Sequence, residues 1–190
     1  GPFELIDRIG AANVAGLIQA EKLPVPPLLT KPLPFYRVDG GRIRQRGPDG
    51  EWVRVAGRPG VLLLGDVKRA SAPVAKNGSA SLWDIGDGVL CVEFHSRMNS
   101  LDGDSLAMIK TAGETIKKSG GKHVALVINN EADNFSAGAN VALALFAANI
   151  APWPFIEEGQ SSGQKILKEM KYAPFPTVSA PSGMALGGGC

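Results

Sequence analysis

Cysteine is nearly absent from the 190 residues, with Cys91 and Cys190 the only two. Two cysteines without metal-ligand spacing give neither a disulfide framework nor a zinc site, so the sequence predicts no metal and a reducing, cytoplasmic setting. No apolar run approaches the roughly 20 residues that a membrane helix needs. The opening GPFELIDRIG already carries Glu4, Asp7 and Arg8, which excludes the core of a signal peptide. Net charge is only +2, too near neutral to point to a nucleic acid or a membrane surface as partner. The basic residues are scattered apart from a local excess between Arg37 and Arg58. That excess reads as a solvated hairpin face or, alternatively, as a phosphate or partner contact.

What is present suits a globular protein: 44% of the residues are hydrophobic. Three segments differ in composition, and the expected organisation is 1–30, 31–80 and 81–190. In the first, Phe3, Ile6, Ile9, Val14, Leu17 and Ile18 form an apolar stripe at helical spacing, interrupted at Gly10. The prolines between Pro24 and Pro34 then forbid a helix. In the second, FYRVDGGRIRQRGPDGEWVRV alternates apolar and polar residues around two turn signals and predicts small hairpins. KRASAPVAKNGSAS, from Lys68 to Ser81, reads as a linker and is where the domain boundary is expected.

After the linker, strand and helix signals alternate, which predicts an α/β layered domain. SLWDIGDGVLCVEF reads as a hairpin, and DGDSLAMIKTAGETIKKSG as a helix capped by Asp102 or Asp104. HVALVINN, His123 to Asn130, has the continuous apolar character of a strand covered on both faces. Helices are expected around 140–149 and 155–172, and another buried strand before the final glycines.

Two small-residue turns each follow a predicted strand: FSAGAN (Phe135 to Asn140) and ALGGGC (Ala185 to Cys190). Bare backbone N–H groups in two such turns can converge on one carbonyl oxygen that becomes negative during reaction, which is an oxyanion hole. Tight turns with close helix–strand packing are the competing reading. Neither turn is a phosphate loop, since both lack Gly-Lys-Ser/Thr and the G-x-G-x-x-G pattern. His123, at the start of a strand, reads as a partly exposed structural residue. His95 sits in a loop where ligand contact is open but acid–base work is not expected. Asp133 reads as a solvated turn acid, Cys190 as an inert thiol, and Trp83 and Trp153 as packing residues.

NNEADNFSAGAN followed by FPTVSAPSGMALGGGC resembles the enoyl-CoA hydratase/isomerase (crotonase) superfamily, as does FHSRMNSLD at Phe94 to Asp102. The resemblance covers about 82–190. It implies the crotonase-like ββα layered fold, here as the N-terminal part of a domain preceded by a helical and hairpin segment. Carried over residue by residue, it implies that the amides of Ala137 and Gly188 form the oxyanion hole. It also implies that Ser96, Arg97 and Met98, with Ala137, Gly138, Ala139 and Asn140, touch coenzyme A. Asn140 stands where the family usually has an acid, and His95 where it has proline.

A second resemblance concerns GPFELIDRIGAANVAGLIQAEKLPVPPLLTK, which looks like the tail of a 3-hydroxyacyl-CoA dehydrogenase C-terminal domain. Together the two imply a piece of a fused β-oxidation enzyme that hydrates 2-enoyl-CoA and oxidises 3-hydroxyacyl-CoA. Its substrate would be an acyl-CoA or enoyl-CoA thioester, and NAD would belong to an upstream part. The glutamates that deliver water and proton in such hydratases would lie beyond Cys190, so the stretch alone is expected to be inactive. Apolar surface left by a partial domain is expected to be covered by self-association or by the remainder of the parent polypeptide. A non-catalytic acyl-CoA-binding segment, an isomerase and a thioester hydrolase are the alternatives.

Overall fold

Gly10, at φ 94°, breaks the N-terminal apolar stripe into two helices, α1 (Pro2–Ile9) and α2 (Ala11–Ala20). The computed structural model describes residues 1–31, 34–55, 57–139, 141–150 and 153–189. The predicted hairpins are an antiparallel three-stranded sheet of β1 (Tyr36–Asp39), β2 (Arg42–Arg46) and β3 (Trp52–Arg54), in that order. Asp7 ties α1 to this sheet, because its carboxylate accepts hydrogen bonds from the Phe35 and Tyr36 amides at 2.7 and 2.9 Å. Ala11, Leu29 and Phe35 form a shared core. The chain divides into two compact units, Gly1–Ser71 and Ala72–Cys190, within the Lys68–Ser81 stretch expected as the boundary. The stretch expected as a linker is also structured at both ends. A short helix, α3 (Leu64–Ala70), closes the first unit, and β4 (Ala75–Lys76) opens the second.

The second unit is a five-stranded mixed sheet with helices packed on it. Its hairpin, β5 (Ala80–Asp84) and β6 (Val89–Phe94), pairs Trp83 with Cys91 and Leu82 with Val92. The helix α4 (Gly103–Lys118) follows, with Asp102 as its N-cap accepting from the Ser105 amide at 2.8 Å. Met108, Ile109, Ala112 and Ile116 recur at helical spacing and are buried against Leu82, Leu90, Val92 and Leu126. Strand β7 (Ala125–Asn129) runs parallel to β6. A short strand, β8 (Asn134–Ser136), then leads to α5 (Val141–Ile150) and α6 (Trp153–Lys171), and β9 (Thr177–Ala180) returns parallel to β7. The final strand, β10 (Met184–Ala185), pairs with β8.

The sheet order is β4-β5-β6-β7-β9. Only Leu126 of β7 is fully buried, and its neighbours are half exposed, so the expected cover on both faces is not seen. Thr177, Val178 and Ser179 on the edge strand β9 are exposed. His123 departs from expectation in the other direction. It is buried, held by backbone and hydroxyl contacts with Ser119, and its Nδ1 has no hydrogen-bond partner among the described residues.

Candidate functional site

Three parallel strands, β6, β7 and β9, end on the same edge of the sheet, and the loops beyond their carboxyl ends meet there. This is where open α/β sheets ordinarily place ligands. The first loop is held in an unusual backbone shape: Met98 and Asn99 have φ values of 56° and 51°, in the left-handed region. That shape turns the Met98 and Asn99 carbonyls toward the β8 turn. The Ala137 amide donates to Met98 O at 3.1 Å, and the Ser136 hydroxyl to Asn99 O at 2.8 Å. The Asn99 side chain donates to Asn134 O at 2.7 Å, and the Leu101 amide to Gly138 O at 2.7 Å.

Asn130 completes the framework. It is 1% exposed, accepts from the Phe94 amide at 2.7 Å and donates to Phe135 O at 2.5 Å. Through one amide it joins the end of β6 to the β8 turn. Asn129 does similar work between β7 and β9, donating to Ala180 O at 2.8 Å. The sequence reading missed Asn99, Asn130 and Ser136 as positioning residues. The only signal in the chain was the cluster of small amides beside the turn.

The two glycine-rich turns press directly on one another. Gly138 has φ +78°, and a Cβ there would lie 2.5 Å from Leu186 O and 2.9 Å from the Gly188 nitrogen. A Cβ at Gly189 would be 2.6 Å from Ser136 O, and one at Gly183 only 2.0 Å from Asp133 O. Gly188 differs, because it lacks a positive φ and a Cβ there would sit 3.8 Å from the Ala139 nitrogen, at ordinary contact distance. The final glycines form a 3₁₀ turn, Gly187–Gly189, whose Gly189 amide donates back to Leu186 O at 2.9 Å.

One member of the expected donor pair is engaged: the Ala137 N–H donates to the Met98 carbonyl at 3.1 Å. The amides of Ala139 and Gly188 are engaged in no hydrogen bond among the described residues, and Ala139 is exposed. Two N–H groups on facing turns are thus left open. Asn140 and Cys190, both singled out in the sequence, lie outside the described residues.

Beside the open amides is a cavity of about 170 Å³, lined by Leu101, Ile109, Phe135, Leu167, Pro181 and Gly188 among others. No titratable side chain lines it among the described residues. On the first loop, Arg97 and Met98 are exposed, and the Ser96 hydroxyl donates to Ser100 O at 2.6 Å. His95 is exposed and its Nε2 lies 3.0 Å from the Ser81 hydroxyl. Asp133 is exposed, as a turn acid should be. Asp102 sits just behind this loop. Burial alone would raise its carboxyl, but hydrogen bonds from the Ser79 and Ser105 hydroxyls and the Ser105 amide together hold it below the ordinary carboxylate range.

No protein-family model matches the chain. A curated relative from Bacillus subtilis, named "Probable 3-hydroxyacyl-CoA dehydrogenase", is 31% identical over 194 residues, covering 100% of this chain and 24% of its own length. A Rickettsia felis protein named as a fatty acid oxidation complex trifunctional enzyme is 30% identical over 125 residues, 66% of this chain and 17% of that protein. The chain thus spans about a quarter, or less, of these relatives. Among solved structures, an enoyl-CoA hydratase from Shewanella pealeana superposes with a TM-score of 0.53 at 19% identity, covering 59% of this chain and 42% of that one. The chain is a relative of bacterial 3-hydroxyacyl-CoA dehydrogenase and fatty acid oxidation proteins, and its α/β part has the crotonase fold of the enoyl-CoA hydratases.

Proposed function

We propose that the second unit binds an acyl-CoA thioester and polarises its carbonyl, as part of a β-oxidation protein that hydrates 2-enoyl-CoA and oxidises 3-hydroxyacyl-CoA. The observation that carries this reading is the pair of unengaged amides, Ala139 and Gly188, on turns packed within contact of each other. Charge that builds on the thioester oxygen would be met by two fixed N–H dipoles, at no cost of reorganisation. The apolar cavity next to Gly188 suits the acyl chain, and Arg97, exposed on the first loop, suits a phosphate of coenzyme A. Ser96, Met98, Gly138 and Asn140 remain assigned to the coenzyme A side of the site. Ala137 is reassigned from donor to positioning residue, because its amide fixes the loop that carries Arg97 and Met98.

Hydration also requires a group that delivers water and proton. The cavity lining described here supplies none, so binding and carbonyl polarisation are the steps its residues account for. In this reading NAD serves the dehydrogenase part of the parent protein, to which residues 1–30 belong.

The test uses acetoacetyl-CoA, whose enolate absorbs in the ultraviolet. The chain is expected to bind it and enrich the enolate. Ala139→Pro, which removes one donor, should weaken this by about 10²-fold while the fold persists. Ala137→Pro should instead destabilise the fold by about 1–3 kcal/mol through the lost bond to Met98. Unchanged enolate binding by Ala139→Pro would overturn the assignment.

A further inference from the structure

The arginine excess between Arg37 and Arg58 lies in the first unit, and the proposed function does not use it. Strand register turns it into an array. Arg37 pairs with Arg44, and Arg44 with Arg54, so three arginines stand side by side on one face, in a row across the three strands. Asp39 and Arg42, also paired, lie two positions along their strands and therefore on the same face. Adjacent strands are about 4.8 Å apart, which makes the row about 10 Å long. Like charges opposed in this way destabilise a sheet. Asp39, the only acid in the three strands, answers two of them, at 2.8 Å from Arg44 and 3.8 Å from Arg37. Arg42 and Arg54 are exposed and make no ion pair or hydrogen bond among the described residues. Arg46 shares the face but is buried and already donates to Leu28 O.

We propose that this face binds a small polyphosphate, two or three linked phosphates recognised through their oxygens alone. Guanidinium groups meet phosphate oxygens through paired N–H donors, and a row of them matches a short chain of phosphates. Four arginines against one aspartate call for more than one negative charge, which a carboxylate does not bring. The size of the patch decides against nucleic acid, since even a single binding module buries about 600–1,000 Å² on such a partner. The aromatic residue of the face decides likewise. Arg37 lies 4.5 Å over the Trp52 ring, which occupies the surface on which a base would stack.

The test is titration of the chain with inorganic triphosphate at constant ionic strength, with the Nε–H signals of Arg42 and Arg54 followed by NMR. Triphosphate is expected to shift both to saturation, at a concentration about tenfold or more below that needed for orthophosphate. ATP should saturate no lower than triphosphate, because the base adds no contact. Arg54→Gln removes one charge-assisted bond and should weaken triphosphate binding about tenfold. Lys110→Gln, an equal loss of charge at an exposed position of α4, should leave binding unchanged. If Arg54→Gln fails to fold, the comparison of triphosphate with orthophosphate on the unsubstituted chain still decides. No saturable shift, orthophosphate binding as tightly as triphosphate, tighter binding of ATP or of a single-stranded oligonucleotide, or an equal loss in Lys110→Gln would each overturn the proposal.

Discussion

Single residues set the geometry of the proposed thioester site through what they cannot carry. Gly138 and Gly188 are both glycines in small-residue turns, yet the structure separates them sharply. Alanine at 138 would require a left-handed backbone and would drive its Cβ to 2.5 Å from Leu186 O. Alanine at 188 would meet only ordinary contact distances. Gly138→Ala is therefore expected to lower the urea midpoint, at a cost of about 1–3 kcal/mol for strain of this kind. Gly188→Ala should fold within about 1 kcal/mol of the parent, a surface-like effect. Its methyl would nevertheless stand beside the Ala139 amide, so acetoacetyl-CoA binding should fall while stability holds. Measuring both properties in both variants separates the role of packing from that of the ligand.

The presence of two apposed turns was legible in the sequence, because glycine and alanine cluster after two strand signals. Which amide remains open was not legible. That depends on Met98 taking a left-handed φ and claiming the Ala137 N–H, and nothing in a methionine announces such a backbone.

Whole elements are joined at the site by buried amides rather than by apolar contact. Asn130 is the strongest case, since it is buried and both of its polar ends are used. Asn130→Leu would leave the Phe94 amide and the Phe135 carbonyl without partners, at about 1–3 kcal/mol for each group. Chemical denaturation should show that loss, and thioester binding should weaken further because the β8 turn loses its tie to β6. Asn129→Leu removes only one bond at a half-exposed position and should cost about 1 kcal/mol.

The elements that the sequence displayed well are those with a sustained period. For α4, the expected face of Leu106, Ile109, Ala112 and Ile116 packs on the sheet, with Asp102 as the cap. The end of the short helix α3, Lys68 to Ala70, was read as linker because seven residues with an internal glycine show no clear stripe. The division after Ser71 falls inside the Lys68–Ser81 stretch where the small, polar composition puts the boundary, whereas no composition signal near residue 30 announces the Asp7 carboxylate reaching Phe35 and Tyr36.

For the molecule as a whole, the response to pH is set by groups hidden in the second unit. Burial pushes the Cys91 thiol up to about 12, with a smaller contribution from nearby Glu93. A thiol that stays protonated in the fold loses its proton readily once the chain unfolds. Below the ordinary thiol value of 9.0 both states hold the proton and stability is unaffected. Between 9.0 and about 12 only the unfolded chain ionises, so stability should fall by as much as about 1.4 kcal/mol per pH unit. Urea unfolding at a series of alkaline pH values should show this slope, and Cys91→Ala should flatten it. Iodoacetamide should label Cys91 only in the unfolded chain, because reactivity follows the thiolate.

The mutual fit of the two glycine turns has a kinetic side. Neither turn can reach its final shape against the other until β7 and β9 are both in the sheet, and α5 and α6 lie between those strands in the chain. Contacts of such long sequence separation form late, after the loop-closure entropy has been met. The helix α4 and the β5–β6 hairpin, whose contacts are local, have no such delay. The open amides of Ala139 and Gly188 therefore come into being at the last stage of folding. A partly folded chain would hold most of its core and still offer nothing to a thioester.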